Sequence, residues 1–399
     1  MSNDTVRRDG AIDFVRGAGI LMIAVDHLAY LAEKFNTPDF INPFITWIRI
    51  GWSSAAEFFV FFSGYLTGLV YAKTLQVHGP GMMWARAGQR SWHIYVVNLL
   101  TLCAVFAVLH VPGFSNAQLA RITEIDSLFD YRAASSLMAF LELRFAPFFF
   151  EILGLYVVLL LVAPAILLAA RFNSMLVLAA SFALWALVQL HLADSITPHL
   201  AATRSFNPLA WQLIFVLGML AGTHRIFDRI RERFQQRSVL MVTGGLLLLA
   251  LALKIVDRVA PDSLSALHVP DTDKLSLGPL QLVHFLVSVV FVMQIVPRTH
   301  AVQQHIVFRA VAGVGRRSLD CFCLSTLLVY GAVGLLAQSG SFDVLSLSIA
   351  GAIIVVLLCA AAPAVEWIDG KPWRASKPAP APVEKYKHVS SQLSPRNVP

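Results

Sequence analysis

Charge is scarce in this chain. Asp, Glu, Lys and Arg together make up 14% of its 399 residues, where a soluble domain carries roughly a quarter. Hydrophobic residues make up 57%, so the chain would aggregate in water unless lipid covered it. Cysteine is scarce too: Cys103, Cys321, Cys323 and Cys359 are the full set, and all lie in apolar runs. Cys321 and Cys323, two apart, point to different faces of a helix. A disulfide framework and a thiolate zinc site are therefore not expected. The chain has no Gly-x4-Gly-Lys-Ser/Thr loop, no His-Glu-x2-His and no Gly-x-Ser-x-Gly, which removes the enzyme classes those motifs mark. It also has no internal repeat.

Long apolar runs are what it does have. About twenty such residues suffice to cross the hydrocarbon core as a helix. Runs of that kind lie near Ala11–Leu31, Phe44–Tyr71, Ser91–Val111, Pro147–Ala170, Met175–His191, Pro208–Gly222, Val239–Val256, Leu280–Val296, Val311–Ala337 and Val344–Val365. They predict an all-α bundle of about ten transmembrane helices. The first run carries Asp13, Arg16, Asp26 and His27 and has no evident small-x-small cleavage site, so it is expected to remain as a membrane helix and not to be removed as a signal peptide.

The net charge of +7 is read as a topology signal. With Arg7 and Arg8 in the cytoplasm, the loops on that side also receive Lys73, Arg86, Arg90, Arg171, the Arg225–Arg237 cluster, Arg298, Arg309, Arg316 and Arg317, and the tail from Lys371 onward. Most of the basic residues then lie inside, and an even number of spans places both termini there. The expected organisation is a cytoplasmic N-terminus over 1–10, a transmembrane domain over 11–366 and a disordered cytoplasmic tail over 367–399. Two outer segments, Pro112–Ala146 and Asp257–Gly278, are longer than turns. Nucleic acid is not an expected partner; membrane lipid is.

Ionisable side chains inside a membrane are costly and mark functional candidates. Arg16 and His27 are eleven residues apart, three helical turns plus about 20°, so they share a face and are separated by about 16 Å of rise. Asp13 lies on that face too and can pair with Arg16. Asp26 points about 100° away from His27, and Glu151 could snorkel to the interface. An imidazole can take a proton from an attacking hydroxyl, and a guanidinium at the helix mouth suits a phosphate or carboxylate. The bland alternative is a structural Asp13–Arg16 pair with a hydrogen-bonded core histidine. Glu57, Asn207, Gln212, Lys274 and His284 are further candidates for substrate contact, each with a structural hydrogen-bonding role as the alternative. Arg316 and Arg317 are either positive-inside anchors or contacts to a nucleotide-like donor.

Arg16-x10-His27 resembles the Arg-x10-His signature of the membrane acyltransferase-3 superfamily, and Glu57-Phe-Phe-Val-Phe-Phe-Ser-Gly64 is similar to its acidic–aromatic–Ser-Gly segment. A finer resemblance is to the OpgC branch, which succinylates osmoregulated periplasmic glucans. It rests on Arg8-Asp-Gly-Ala-Ile-Asp-Phe-Val-Arg-Gly17, on Phe206-Asn-Pro-Leu-Ala-Trp-Gln-Leu-Ile-Phe-Val-Leu-Gly218, on Leu277-Gly-Pro-Leu-Gln-Leu-Val-His-Phe-Leu286, and on Gly315-Arg-Arg-Ser-Leu319 with Cys321-Phe-Cys323. Gln281 departs from the basic residue expected in that branch, and Asp320 from an apolar one. The resemblance implies an inner-membrane enzyme that transfers an acyl group from cytoplasmic acyl-CoA, succinyl-CoA or acetyl-CoA, to a periplasmic glucan or another envelope glycan. No permanently bound cofactor and no metal are implied. His27 would match the catalytic histidine and Arg16 the essential arginine. A secondary transporter, with the buried ionisable groups as coupling sites, is the alternative from another class.

Overall fold

The computed structural model describes residues 10–35, 40–111, 117–129, 134–143, 146–192, 206–224, 237–259, 275–296 and 299–369. The described residues are all-helical. In chain order the helices are α1 (Gly10–Glu33), α2 (Trp47–Ile50), α3 (Ala55–Leu109), α4 (Ala117–Ile122), α5 (Asp126–Phe129), α6 (Ala134–Leu141), α7 (Glu151–Phe172), α8 (Ser174–Gln189), α9 (Pro208–Thr223), α10 (Arg237–Val259), α11 (Pro279–Ile295), α12 (His300–Gln304), α13 (Ile306–Arg316), α14 (Ser318–Ser339) and α15 (Val344–Asp369). Among the described residues, six helices are long and apolar enough to cross a membrane, and α8, α9 and α11 are shorter apolar helices. The chain is a multi-pass membrane protein.

Three expected spans take a different shape. The run from Phe44 is not helical at its start: the chain is extended up to Thr46, makes the single turn of α2, and enters α3 only at Ala55. Ser54 stops the helix from starting earlier, because it is the N-cap and forms a capping box with Glu57. The runs expected at Phe44–Tyr71 and Ser91–Val111 then join as the two arms of α3. They meet at Gly79, whose φ of 78° breaks the helix immediately before Pro80. Arg86 Nη1 donates to Thr74 Oγ1 at 2.7 Å across that break, so the two arms bend sharply toward each other there. The ninth run is likewise interrupted at Arg317 (φ −109°, ψ 38°), which separates α13 from α14. The last helix continues to Asp369. Residues 370–399 of the tail expected over 367–399, Lys274 and most of the Asp257–Gly278 segment lie outside the described residues.

In lipid, burial of apolar surface gives little drive for helices to associate, so backbone approach through small residues takes over. Two contacts of this kind organise the bundle. A Cβ at Gly64 or Gly68 of α3 would fall 2.1 Å from the carbonyl oxygen of Phe215 or Met219. A Cβ at Gly218 or Gly222 of α9 would fall 2.0 Å from that of Phe61 or Tyr65. The second contact joins α1 to α13: a Cβ at Gly17 would lie 1.8 Å from Val311 O, and one at Gly315 1.8 Å from Asp13 O. This crossing sets Arg16, next to Gly17, against the start of α14.

Candidate active site

The side chains of α1 meet α3, α14 and the segment that leads into α7 along one stripe. Near its start, Arg16 Nη2 donates to Ser318 Oγ at 2.5 Å, and Ser318 Oγ in turn donates to Gly315 O at 3.0 Å. The guanidinium also lies over the Phe59 ring, 5.8 Å from its centroid. Phe59 stacks on Phe322 with centroids 6.4 Å apart, and Phe322 meets the His27 ring edge-on, also at 6.4 Å. Arg16 and His27 are thus joined by two aromatic rings across the length of the stripe. The same-face expectation from their spacing holds in three dimensions.

At the far end the His27 imidazole stacks on Phe149, centroids 3.5 Å apart and planes 9° from parallel. Phe149 precedes α7 and has a φ of 76°, a left-handed conformation that costs energy for a bulky residue. Three bonds hold it. Glu151 Oε2 accepts from Phe149 N at 2.8 Å. Phe148 O accepts from Tyr330 Oη at 3.0 Å, and Phe148 N donates to Thr123 O at 3.3 Å. Glu151 therefore turns inward to its own helix entry instead of snorkelling outward. Neither Phe149 nor Glu151 was marked as part of the site by the sequence; the Pro147-Phe-Phe-Phe150 run immediately before an acidic residue was the available signal. Asp26, as its spacing implied, faces elsewhere: it accepts from Thr46 Oγ1 at 2.5 Å.

The other candidates are placed as follows. Asp13 is buried at the α1–α13 crossing, within electrostatic reach of Arg316. Arg316 pairs with Glu366 at 2.6 Å and Arg317 pairs with Asp369, tying both arginines to the end of α15. Glu57 is fully buried; one carboxylate oxygen accepts from Ser54 N at 2.8 Å and Ser54 Oγ at 2.6 Å, and the other accepts from Gln281 Nε2. His284 lies one helical turn along α11 from Gln281. Its Nδ1 accepts from Ser53 N at 3.2 Å and lies 2.7 Å from Ser53 Oγ. Glu57, Gln281 and His284 thus form one polar lock between the start of α3 and α11. Gln281 is the amide partner that lets a carboxylate sit at this depth. Asn207 caps α9 by accepting from Leu209 N at 2.9 Å. Gln212 accepts from Ser181 Oγ at 2.6 Å and donates to Ser181 O at 2.8 Å, pinning α9 to α8. The structure brings Arg16 and His27 together on one lined stripe; it places Asn207, Gln212, Glu57 and His284 in helix caps and interhelical bonds.

Residues 8–370 match the family model described as OpgC protein. The chain belongs to the OpgC family. Membership indicates an acyltransferase of periplasmic glucans. No curated protein and no solved structure matches the chain.

Proposed function

We propose that this OpgC-family protein is an O-succinyltransferase of the bacterial inner membrane. It moves succinyl from cytoplasmic succinyl-CoA to hydroxyls of periplasmic glucans. The proposal includes ten passes with both termini in the cytoplasm. The observation that carries it is the aromatic-lined stripe with Arg16 near one end and His27 at the other. With the N-terminus in the cytoplasm, as proposed, the basic residue faces the side where the phosphates of CoA are found, and the imidazole the side where glucans are found.

In this mechanism Arg16 orients the donor, its Nη2 already fixed by Ser318. His27 takes the proton of the glucan hydroxyl as that oxygen bonds to the thioester carbonyl carbon. The carbon–sulfur bond then breaks, and the departing thiolate takes the proton from the imidazolium. An ester and free CoA thiol result, and His27 returns to its starting state. Stacking on Phe149 fixes the plane of the imidazole, as a general base requires.

The test is transfer by the purified protein in nanodiscs, with labelled succinyl-CoA or acetyl-CoA and a β-glucan acceptor, beside His27→Ala. Labelled glucan from succinyl-CoA, lost in the variant, supports both reaction and base. Transfer from acetyl-CoA changes the donor and keeps the mechanism. No transfer from either, by a folded protein, removes the acyltransferase reading with these substrates and favours transport.

A further inference from the structure

Tyr156 is the one buried tyrosine on the stripe whose hydroxyl has no hydrogen-bond partner among the described residues. Its side chain is 3% exposed and its Oη is shielded from solvent. By contrast, the equally buried Tyr330 spends its hydroxyl on Phe148 O. Buried polar groups are nearly always paired, and an exception calls for a ligand, a water or a functional reason.

Position narrows the choice. The Tyr156 ring meets Phe59 edge-to-face at 5.5 Å, and Phe59 is the ring that carries the Arg16 guanidinium. The same Phe59 ring thus lies against both the Arg16 guanidinium and the Tyr156 ring. Along α7, Tyr156 lies five residues from Glu151, about 7.5 Å of rise toward the Arg16 end, while Glu151 holds Phe149 at the level of His27. The hydroxyl therefore sits at a depth between the two ends of the stripe.

The chemistry available there is a neutral O–H donor beside a group that only donates. A phenol can also accept but a guanidinium cannot, so acceptor oxygens are what lets one ligand bond to both. If a thioester carbonyl is at His27 and the phosphates of CoA lie beyond Arg16, the part of the donor between them is the pantetheine arm. Its first amide carbonyl is separated from the sulfur by two methylenes and the amide N–H, which matches a contact one to two helical turns below His27. We infer that Tyr156 is a donor-binding residue whose hydroxyl donates a hydrogen bond to an amide carbonyl of the pantetheine arm. This rests on the acyltransferase reading of the site. The contact is made equally in ground state and transition state, so it contributes to donor affinity more than to turnover.

The experiment compares wild type with Tyr156→Phe in nanodiscs, using succinyl-CoA, the succinyl thioester of N-acetylcysteamine, which keeps the first amide, and a simple alkyl thioester that lacks it. The expected result is a donor KM raised about tenfold for the two amide-bearing donors. The kcat should change much less, the acceptor KM should hold, and the alkyl thioester should not distinguish the two proteins. An unchanged donor KM, or an equal loss with the alkyl thioester, overturns the assignment. Binding of labelled CoA to the same proteins reads the contact without turnover. Absence of transfer by the wild type defeats the reaction reading, whereas equal CoA affinity of the two proteins defeats the Tyr156 assignment on its own.

Discussion

The His27 imidazole and the Phe149 ring lie face to face, 3.5 Å between centroids, and Phe149 holds this position from a left-handed backbone conformation. A strained residue persists only where its surroundings over-determine it. Here a carboxylate, a phenol and a backbone carbonyl all act on the Phe148–Phe149 pair. The arrangement sets the plane of the imidazole from outside α1.

The first prediction follows. Replacing Phe149 with Leu keeps an apolar side chain and removes the flat partner of His27. Aromatic pairs contribute about 0.5–1.5 kcal/mol beyond their area. If that interaction is what orients the base, kcat falls by up to about tenfold while membrane insertion and the acyl-CoA KM hold. A kcat equal to wild type would show that His27 is oriented by other contacts.

Glu151 is the second. Glu151→Ala leaves the Phe149 N–H without its acceptor, whereas Glu151→Gln retains an oxygen at the same reach. Loss of a buried acceptor costs about 1–3 kcal/mol. The alanine variant is expected to melt at lower temperature and to lose kcat as Phe149→Leu does, and the glutamine variant to recover most of both. Equal behaviour of the two would mean that the carboxylate serves helix α7 alone.

Much of this architecture was legible before any coordinates. Apolar runs announced the helices because lipid imposes length and composition together. The Arg16–His27 face followed from helical angle alone. Positions decided by long-range contact were not legible. Gly17 and Gly315 share one crossing although about three hundred residues separate them, and nothing local distinguishes them from Gly331, which has open space around it. Phe149 was hidden because the sequence does not show which ring faces which. Glu57, Gln212 and His284 are candidates by sequence for substrate contact or for structural hydrogen bonds, and each is bonded to a distant segment: Gln281, Ser181 and Ser53. The break at Ser54 was written in the sequence as a Ser-x-x-Glu capping box but lay inside an apolar run that read as continuous.

The glycine crossing gives the third prediction. Gly17→Ala places a Cβ on Val311 O, so α1 and α13 must separate. That displaces Arg16 from Ser318 as well as weakening the bundle. The variant is expected to insert poorly or to lose activity almost completely. Gly331→Ala meets nothing within 4 Å and improves helix propensity by about 1 kcal/mol, so it should match or slightly exceed wild type in thermal stability. Similar tolerance at both sites, measured by size-exclusion profile and melting in detergent, would contradict the close crossing.

At the α3–α11 lock, Glu57→Leu strips acceptors from Ser54 N, Ser54 Oγ and Gln281 Nε2 together. A loss of several kcal/mol is expected if about 1–3 kcal/mol attaches to each stranded buried group. Adding Gln281→Leu removes one stranded donor, so the double variant should be more stable than the sum of the two single changes. Additive effects would mean that the two side chains do not share the bond seen here.

Ser318 supplies the last prediction. Its hydroxyl accepts from Arg16 Nη2 while donating to Gly315 O, so it fixes the guanidinium to the turn between α13 and α14. In Ser318→Ala the arginine keeps its charge and loses that anchor. If Arg16 orients the acyl donor, the donor KM rises by about tenfold, as expected for a hydrogen bond to a charged group, and the acceptor KM does not. Ser318→Thr restores a hydroxyl at the same position and should recover donor KM even if the extra methyl lowers stability. Donor kinetics that follow thermal stability across the two variants, instead of following the presence of the hydroxyl, would reduce Ser318 to a packing residue and leave the orientation of Arg16 to its other contacts, the Phe59 face among them.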